Sequence, residues 1–232
     1  MGEILEIGEE NFYGVLYTFI SNPTTYRLQL WDMGIDWNKI TQFELFMMLY
    51  RTIDTNVSRL LFKDVDFAGF DLYSKMIKVT NDDGVEEDKK VPVLFNKEQN
   101  IEISEDDFTL ISEYLQVMFN IFPKVERAKG RSTKESIIEE DRLNLQFKQK
   151  QGEDNESGLL ALVSSCVNHP GFKYKLQELR DVGICQFMDS VQRLQVYEAS
   201  TALMAGIYSG FVDSSKIKAE DYNWMKSLSK KS

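Results

Sequence analysis

The spacing of apolar positions predicts helices near the start of the chain. In the stretch NFYGVLYTFISNP the apolar side chains follow the i, i+3, i+4, i+7 spacing of one helix face: Phe12, Val15, Leu16 and Phe19. Pro23 forces the chain out of this helix. A second helix is predicted over TQFELFMMLYRTI, because Thr41 and Glu44 have the spacing of a capping box. It is apolar on nearly every side, which is typical of a helix in the core.

Between about residues 57 and 103 the pattern changes to short β-rich stretches: SRLLF, FDLYSK, IKVT and VPVLFN. The Asp-Gly pair in NDDGVEED favours a tight turn, so KMIKVT and KKVPVLF are predicted to pair as an antiparallel hairpin. A helix follows in SEDDFTLISEYLQVMFNIF, which Ser104 and Asp107 cap. Its apolar residues form two stripes, so we expect it to be packed from two sides.

The chain from Pro123 to Gly158 is polar and charged and ends in KQKQGEDNESG, which is typical of a flexible connector. The remainder reads as helical again, with the stripe Ile184, Phe187, Met188 and Val191 and a last short helix at about 219–228.

These patterns predict a mostly helical α+β fold with a small antiparallel β-hairpin or sheet region around 57–103. They also predict three parts: a helical N-terminal domain with a β-rich insertion over 1–123, a charged connector and helix over 124–158, and a helical C-terminal domain over 159–232.

Composition and charge narrow the function classes. The net charge of −10 argues against a protein that coats nucleic acid or anionic lipid, although a local basic patch is compatible with it. The two cysteines, Cys166 and Cys185, are too few for a disulfide framework and indicate a reducing cytoplasm. The acidic first residues lack the apolar run of a secretory signal. The longest nearly uncharged run, ASTALMAGIYSGFV, suits a buried core helix better than a membrane span of about 20 residues.

The stretch ERAKGRSTKESIIEEDR, residues 126 to 142, raises the question of a phosphate-binding loop. A Walker loop needs G-x-x-x-x-G-K-[ST] after a buried strand, and this stretch has no glycine before Gly130, no Gly-Lys pair and no preceding strand. A helix start accounts for every residue: Gly130 turns the chain, Ser132 caps the helix, and Glu135, three residues later, completes the capping box. The sequence therefore favours a helix start here.

Two sets of residues are candidates for partner binding. The first is the basic cluster Lys124, Arg127, Lys129, Arg131 and Lys134. It lacks interleaved aromatic residues and is followed by the acidic residues 139–141, so a solvated connector is favoured over a nucleic-acid patch; pairing with an acidic partner surface is a further alternative. The second set is Tyr222, Trp224 and Met225, which dock on the protein's own core or bind a client.

The sequence offers no catalytic or metal site. His169 is the only histidine, and Cys166 lies three residues before it without a recognisable nucleophile turn. A calcium loop aligned on Gly84 places Val79 and Lys90 where carboxylates are required. No G-x-G-x-x-G occurs. We expect a protein that is not an enzyme and has no cofactor or metal.

Two stretches resemble proteins of tailed bacteriophages. In the C-terminal third, HPGFKYKLQELRDVGICQFMDSVQRLQVYEASTALMAGIYSGFVDSSKI and the preceding RSTKESIIEEDR resemble virion-assembly proteins. Within it, YKLQELRDVGICQFMDSVQRL is similar to the pattern of tail assembly chaperones. The N-terminal TTYRLQLWDMGIDWNKITQFELFMMLY, with Tyr26, Arg27 and Leu28 near its start, also looks like the opening of such proteins.

This resemblance implies a non-enzymatic morphogenesis factor in the host cytoplasm that binds a phage structural protein such as the tape measure or tail tube. The family has no catalytic residues to carry over. Two alternatives remain open: a virion component of the neck or baseplate, and a phage regulator or counter-defence protein that binds a host protein or nucleic acid. No membrane partner is expected.

Overall fold

The computed structural model describes residues 2–80, 86–151, 158–213, 215 and 217–228. Helices dominate and accompany a three-stranded antiparallel sheet, which confirms the predicted mostly helical α+β class. The helices are α1 (Gly2–Ile7), α2 (Glu9–Ile20), α3 (Arg27–Asp32), α4 (Gln42–Leu49), α5 (Thr55–Phe62), α6 (Glu105–Phe119), α7 (Arg131–Gln151), α8 (Gly158–Val167) and α9 (Ile184–Tyr208). The strands are β1 (Phe70–Thr80), β2 (Glu86–Asn96) and β3 (Ile101–Ile103).

Two compact units make up the chain. The sheet unit comprises Glu10–Leu115 and Ile121–Asn155, and the C-terminal unit comprises Met1–Glu9, Gln116–Asn120 and Glu156–Ser232. The predicted boundaries at 123 and 158 stay predictions. The stretch GEDNES at the end of the predicted connector, residues 152–157, lies outside the described residues.

Phenylalanine rings form the core of the sheet unit. Phe19 of α2 lies 5.1 Å from Phe46 of α4, and Phe46 stacks on Phe108 of α6 at 4.5 Å between ring centroids. The whole predicted apolar face of α2 is buried. The predicted capping box of α4 is confirmed, since Glu44 N donates to Thr41 Oγ1 at 3.1 Å and Thr41 N donates to Glu44 Oε2 at 2.7 Å.

The predicted hairpin is confirmed: β1 pairs with β2 in antiparallel register from Phe70 opposite Asn96 to Thr80 opposite Glu86. Its Asp-Gly turn lies outside the described residues. β3 adds only a short third strand, with Ile103 opposite Leu94.

The β-rich prediction for the stretch SRLLF is wrong, because this stretch lies in helix α5. Asp54 caps this helix by accepting a hydrogen bond from Asn56 N at 2.8 Å, and helical geometry buries Val57 and Ser58. Phe62 at its end packs on Phe19 at 4.6 Å. Tertiary packing therefore overrides the local β propensity of this stretch.

The helix start predicted near residue 132 is confirmed, with one correction. α7 begins at Arg131, so Ser132 lies inside its first turn and does not cap it. Lys134 N donates to Gly130 O at 3.1 Å, which marks Gly130 as the residue before the helix. Glu135 binds the Arg131 guanidinium at 2.9 Å instead of reaching Ser132.

The two-sided packing predicted for α6 is wrong from the start of the helix as far as Leu115. Phe108 and Leu115 are buried, but the second stripe exposes Leu110 and Tyr114. A single apolar face therefore packs this part of the helix in the sheet unit.

The C-terminal unit is built on α8 and α9. The predicted stripe of α9 is confirmed, because Ile184, Phe187, Met188 and Val191 are all buried. The uncharged run predicted as a buried core helix is wrong, since it exposes Tyr208 and Phe211 at the end of α9 and beyond it.

The predicted last helix at 219–228 is also wrong. A single 3-10 turn spans Ala219–Asp221, and turns follow it. Asn223 Oδ1 accepts a hydrogen bond from Met225 N at 3.1 Å, a local bond that competes with helix formation.

Candidate functional site

The segment between α6 and α7 is held in place by side chains that precede it in the sequence. Asn22 Nδ2 donates to two of its carbonyl oxygens at 3.1 and 3.2 Å, and Asn38 Nδ2 donates to Ala128 O at 2.6 Å. Trp37 Nε1 donates to Glu126 O at 3.3 Å. Ala128 is buried in an apolar cluster with Trp37. We name residues 121–130 the strap: its backbone is anchored at these carbonyls, while its cations Lys124, Arg127 and Lys129 are exposed.

Arg27 fastens the strap to α7. Its Nη2 donates to Asp141 Oδ1 at 2.6 Å, its Nε donates to the other oxygen of that carboxylate, and its Nη1 donates to Glu126. The hydrogen bond to Asp141, the largest cause, raises the pKa of Arg27 above its ordinary value. The pKa of Glu126 is lowered by two hydrogen bonds, of which the one from Lys124 has the larger effect and the one from Arg27 the smaller. Such a bidentate, partly buried pair is a structural clamp.

The predicted basic cluster is divided among three cavities. Arg127 is exposed and lines a cavity of about 480 Å³ with Arg27 and Asp141, while Lys124 pairs with Glu126 and lines a cavity of about 700 Å³. The other three cations, Lys129, Arg131 and Lys134, line a separate cavity of about 410 Å³ beside Trp31, Gly34, Ile35 and Asp36. The structure thus brings together three of the five predicted cations.

Lys134 belongs to the fold as well as to this cavity. Its side chain is 13% exposed, and its Nζ donates to Asp36 Oδ2 at 2.6 Å. The ammonium also lies 5.7 Å from the centroid of the Trp37 ring. The hydrogen bond from Lys134 is the largest cause that lowers the pKa of Asp36.

In the C-terminal unit, Trp224 lies against α9. Its ring meets Tyr197 edge-on at 5.8 Å between centroids, and Arg193 Nη1 donates to Lys226 O at 2.6 Å. These side chains border a cavity of about 320 Å³ that Phe172 and Leu194 also line. Sequence reasoning missed Tyr197 and Arg193, although their i, i+4 spacing on a helix was available as a signal.

The three C-terminal candidates are not core residues. Trp224 is 51% exposed and Met225 is 71% exposed, and Tyr222 is also on the surface. The Trp224 ring packs against Tyr197 of α9, and about half of the residue is accessible to solvent. We name Arg193, Tyr197, Trp224 and Met225 the Trp224 surface.

His169 and Cys166 are not arranged as a base and a nucleophile. His169 Nδ1 accepts a hydrogen bond from Gly171 N at 3.0 Å, which ties the ring to its own turn. Burial raises the pKa of the Cys166 thiol, the opposite of the shift that activates a nucleophilic cysteine. Among the described residues, no group of three or more His, Cys, Asp or Glu is arranged to hold a metal ion.

None of the helices in the described part of the chain has both the length and the apolar character needed to cross a membrane.

Residues 149–229 match the family described as YomV second domain, which is phage-associated. The match supports a phage origin. It covers the C-terminal part of the chain, where the resemblance to phage proteins is concentrated, and includes all of the Trp224 surface. It carries no information on tail assembly. No curated protein and no solved structure matches the chain significantly.

Proposed function

We propose that the protein is a non-enzymatic phage morphogenesis factor, similar to the tail assembly chaperones, that binds a structural client through its Trp224 surface. The client is a phage structural protein of the tape measure or tail tube type, bound in the host cytoplasm. The single observation that carries the proposal is the exposure of Trp224 and Met225 beside a cavity, on the part of the chain that matches a phage family.

Exposed aromatic residues support a binding role. Trp, Tyr, Met and Arg are the side chains enriched at protein interfaces, and the Trp224 surface contains one of each. Tyr208 and Phe211 add further exposed aromatic groups on the same unit. The net charge of −10 would keep a complex with an aggregation-prone client in solution.

The experiment uses tagged full-length chain in infected cells, with mass spectrometry of the lysate complex and of purified virions. We expect a phage structural protein to copurify with the tagged chain from the lysate and to bind the purified chain directly. We also expect the chain to be missing from virions. Presence of the chain in purified particles would instead identify a neck or baseplate component. Binding of a host protein or nucleic acid alone would favour the regulator alternative.

Substitution of Trp224 tests which surface binds. Trp224→Ala should weaken the client complex by about 2 kcal/mol, as loss of an aromatic anchor does. Because Trp224 is half exposed, the variant should keep nearly the wild-type melting temperature. The matched control is Phe147→Ala, which removes an exposed aromatic side chain from the sheet unit and should leave client binding unchanged. Equal client binding by Trp224→Ala and wild type would exclude this surface.

A further inference from the structure

The cavity of about 410 Å³ in the sheet unit has no part in the proposed function. Trp31, Ile35 and Asp36 form one side of it, and Lys129, Arg131 and Lys134 form the other. Its volume falls within the roughly 300–1,000 Å³ that small-molecule sites occupy. Polar and apolar groups therefore converge on a space large enough for a small ligand.

The cavity is positively charged although the protein is acidic. Three cations and one carboxylate line it, an excess of two positive charges. Asp36 is already neutralised by Lys134 at 2.6 Å, so its charge does not oppose an anion strongly. Lys39 adds a further positive charge close enough to lower the pKa of Asp36.

Two of the cations are accessible to a ligand. Lys129 is exposed and has no ion pair in the part of the chain that the structure describes. Arg131 pairs with Glu135 at 2.9 Å, but the two side chains are 88% and 52% exposed. Exposed pairs of this kind contribute little, so an anion can compete with Glu135 for the guanidinium.

Trp31 supplies an aromatic wall. Its ring is half-buried and packs edge-on against Trp37 at 6.0 Å between centroids, which fixes its orientation. The other ring, Trp37, lies under the Lys134 ammonium. An indole held beside cations is a platform on which a neutral planar ring can stack while its anionic substituents contact the cations.

We propose that this cavity binds a small ligand of the nucleoside phosphate class. Lys129 and Arg131 bind the phosphate groups, and the base stacks on Trp31. The Lys134–Asp36 pair holds the wall of the site in place.

The test is calorimetric titration of the full chain with ADP at low salt. We expect saturable binding of one ADP per chain. The double variant Lys129→Gln/Arg131→Gln should weaken it at least about tenfold, since two charge-assisted contacts are lost. The matched control is Arg127→Gln, which removes an exposed strap cation that lines the cavity of about 480 Å³ and should change ADP affinity less than about twofold.

Simpler probes separate the two halves of the ligand. ADP should bind more tightly than pyrophosphate, which lacks the base, and than adenosine, which lacks the phosphates. Trp31→Leu should weaken ADP but not pyrophosphate, and its circular dichroism reports whether it is folded; if it is unfolded, the comparison of ADP with pyrophosphate on wild-type protein decides the stacking step.

The proposal fails if ADP shows no saturable binding, if the double variant binds ADP as wild type does, or if pyrophosphate binds as tightly as ADP. Binding of oligothymidine without binding of ADP would assign the cavity to single-stranded nucleic acid instead. None of these outcomes bears on the Trp224 surface, which lies in the C-terminal unit.

Discussion

Lys134 illustrates at the scale of single residues how a predicted surface cation can be part of the fold. The sequence places it in a charged cluster, and nothing local distinguishes it from Lys129. Its contacts with Asp36 and Trp37 join residues almost a hundred positions apart. Pairings at that separation depend on the packing of α3 against α7, which sequence spacing does not encode.

This pair predicts a specific dependence of stability on pH. The hydrogen bond from Lys134 holds the pKa of Asp36 in the folded protein below the ordinary aspartate value, which is close to the value in the unfolded chain. The resulting stabilisation is present above the unfolded pKa and is lost as the pH falls through the folded pKa. When the pH is lowered from about 5 to 3, the unfolding free energy should therefore fall less in Lys134→Gln than in wild type.

Urea unfolding at several pH values in that range measures the difference. The control is Lys129→Gln, which removes an exposed cation without an ion pair in the described part of the chain and should follow the wild-type pH dependence. Parallel curves for wild type and Lys134→Gln would show that the pair does not couple to folding.

At the scale of elements, the strap depends on Asn22. Its Nδ2 binds two strap carbonyls, and its Oδ1 accepts from Thr24 N at 2.9 Å and from Thr25 N at 3.2 Å. Asn22→Ala removes the side-chain partner of the two strap carbonyls and of Thr24 N, so we expect a loss of about 1–3 kcal/mol of unfolding free energy and earlier protease cleavage within residues 121–130.

Limited proteolysis with mass spectrometry locates that cleavage. Asn168→Ala is the control, because Asn168 is exposed and its side chain, within the described part of the chain, bonds only to Ser164 O of the preceding helix α8. Cleavage of the strap at the same rate in wild type and Asn22→Ala would contradict the assignment.

Local sequence patterns predicted the helices and the hairpin that have their own apolar face, cap or turn. They did not predict the segments whose position depends on hydrogen bonds to residues far away in the sequence. The spacing of Phe12 to Phe19, the Thr41 capping box and the β1–β2 pairing follow from local rules, and the structure has all three. The strap has the charged composition of a connector. Its hydrogen bonds to Asn22, Trp37 and Asn38 join it to residues that are distant in the sequence. Charge alone carried no signal of those bonds.

The candidate sites were predicted in part for the same reason. The cations Lys129, Arg131 and Lys134 stand out in the sequence, but Trp31 and Asp36 join them only through the fold. Trp224 stands out as an isolated aromatic residue, whereas its neighbours Tyr197 and Arg193 lie on a helix that looked entirely structural.

At the scale of the whole molecule, the C-terminal unit is assembled from separate parts of the chain. Gln192 Nε2 donates to Val117 O at 2.7 Å, and Leu159 N donates to Glu9 Oε1 at 3.0 Å. Ile4 of α1 is 1% exposed. Residues near 1–9 and 116–120 therefore complete a unit whose largest part follows residue 156.

A fragment of residues 158–228 should consequently be less stable than the same residues in the full chain. It loses the Glu9 acceptor at the start of α8, the carbonyl acceptors of Gln192, and the contacts of α1 with the turn Glu178–Arg180, each a loss of about 1–3 kcal/mol. Urea unfolding of the fragment, followed by circular dichroism, should give a lower midpoint than the full chain. Gln192→Ala in the full chain removes one of these contacts, so its urea midpoint should lie between those of the fragment and the full chain. A fragment as resistant to urea as the full chain would show that the C-terminal domain predicted over 159–232 folds independently of the two earlier segments.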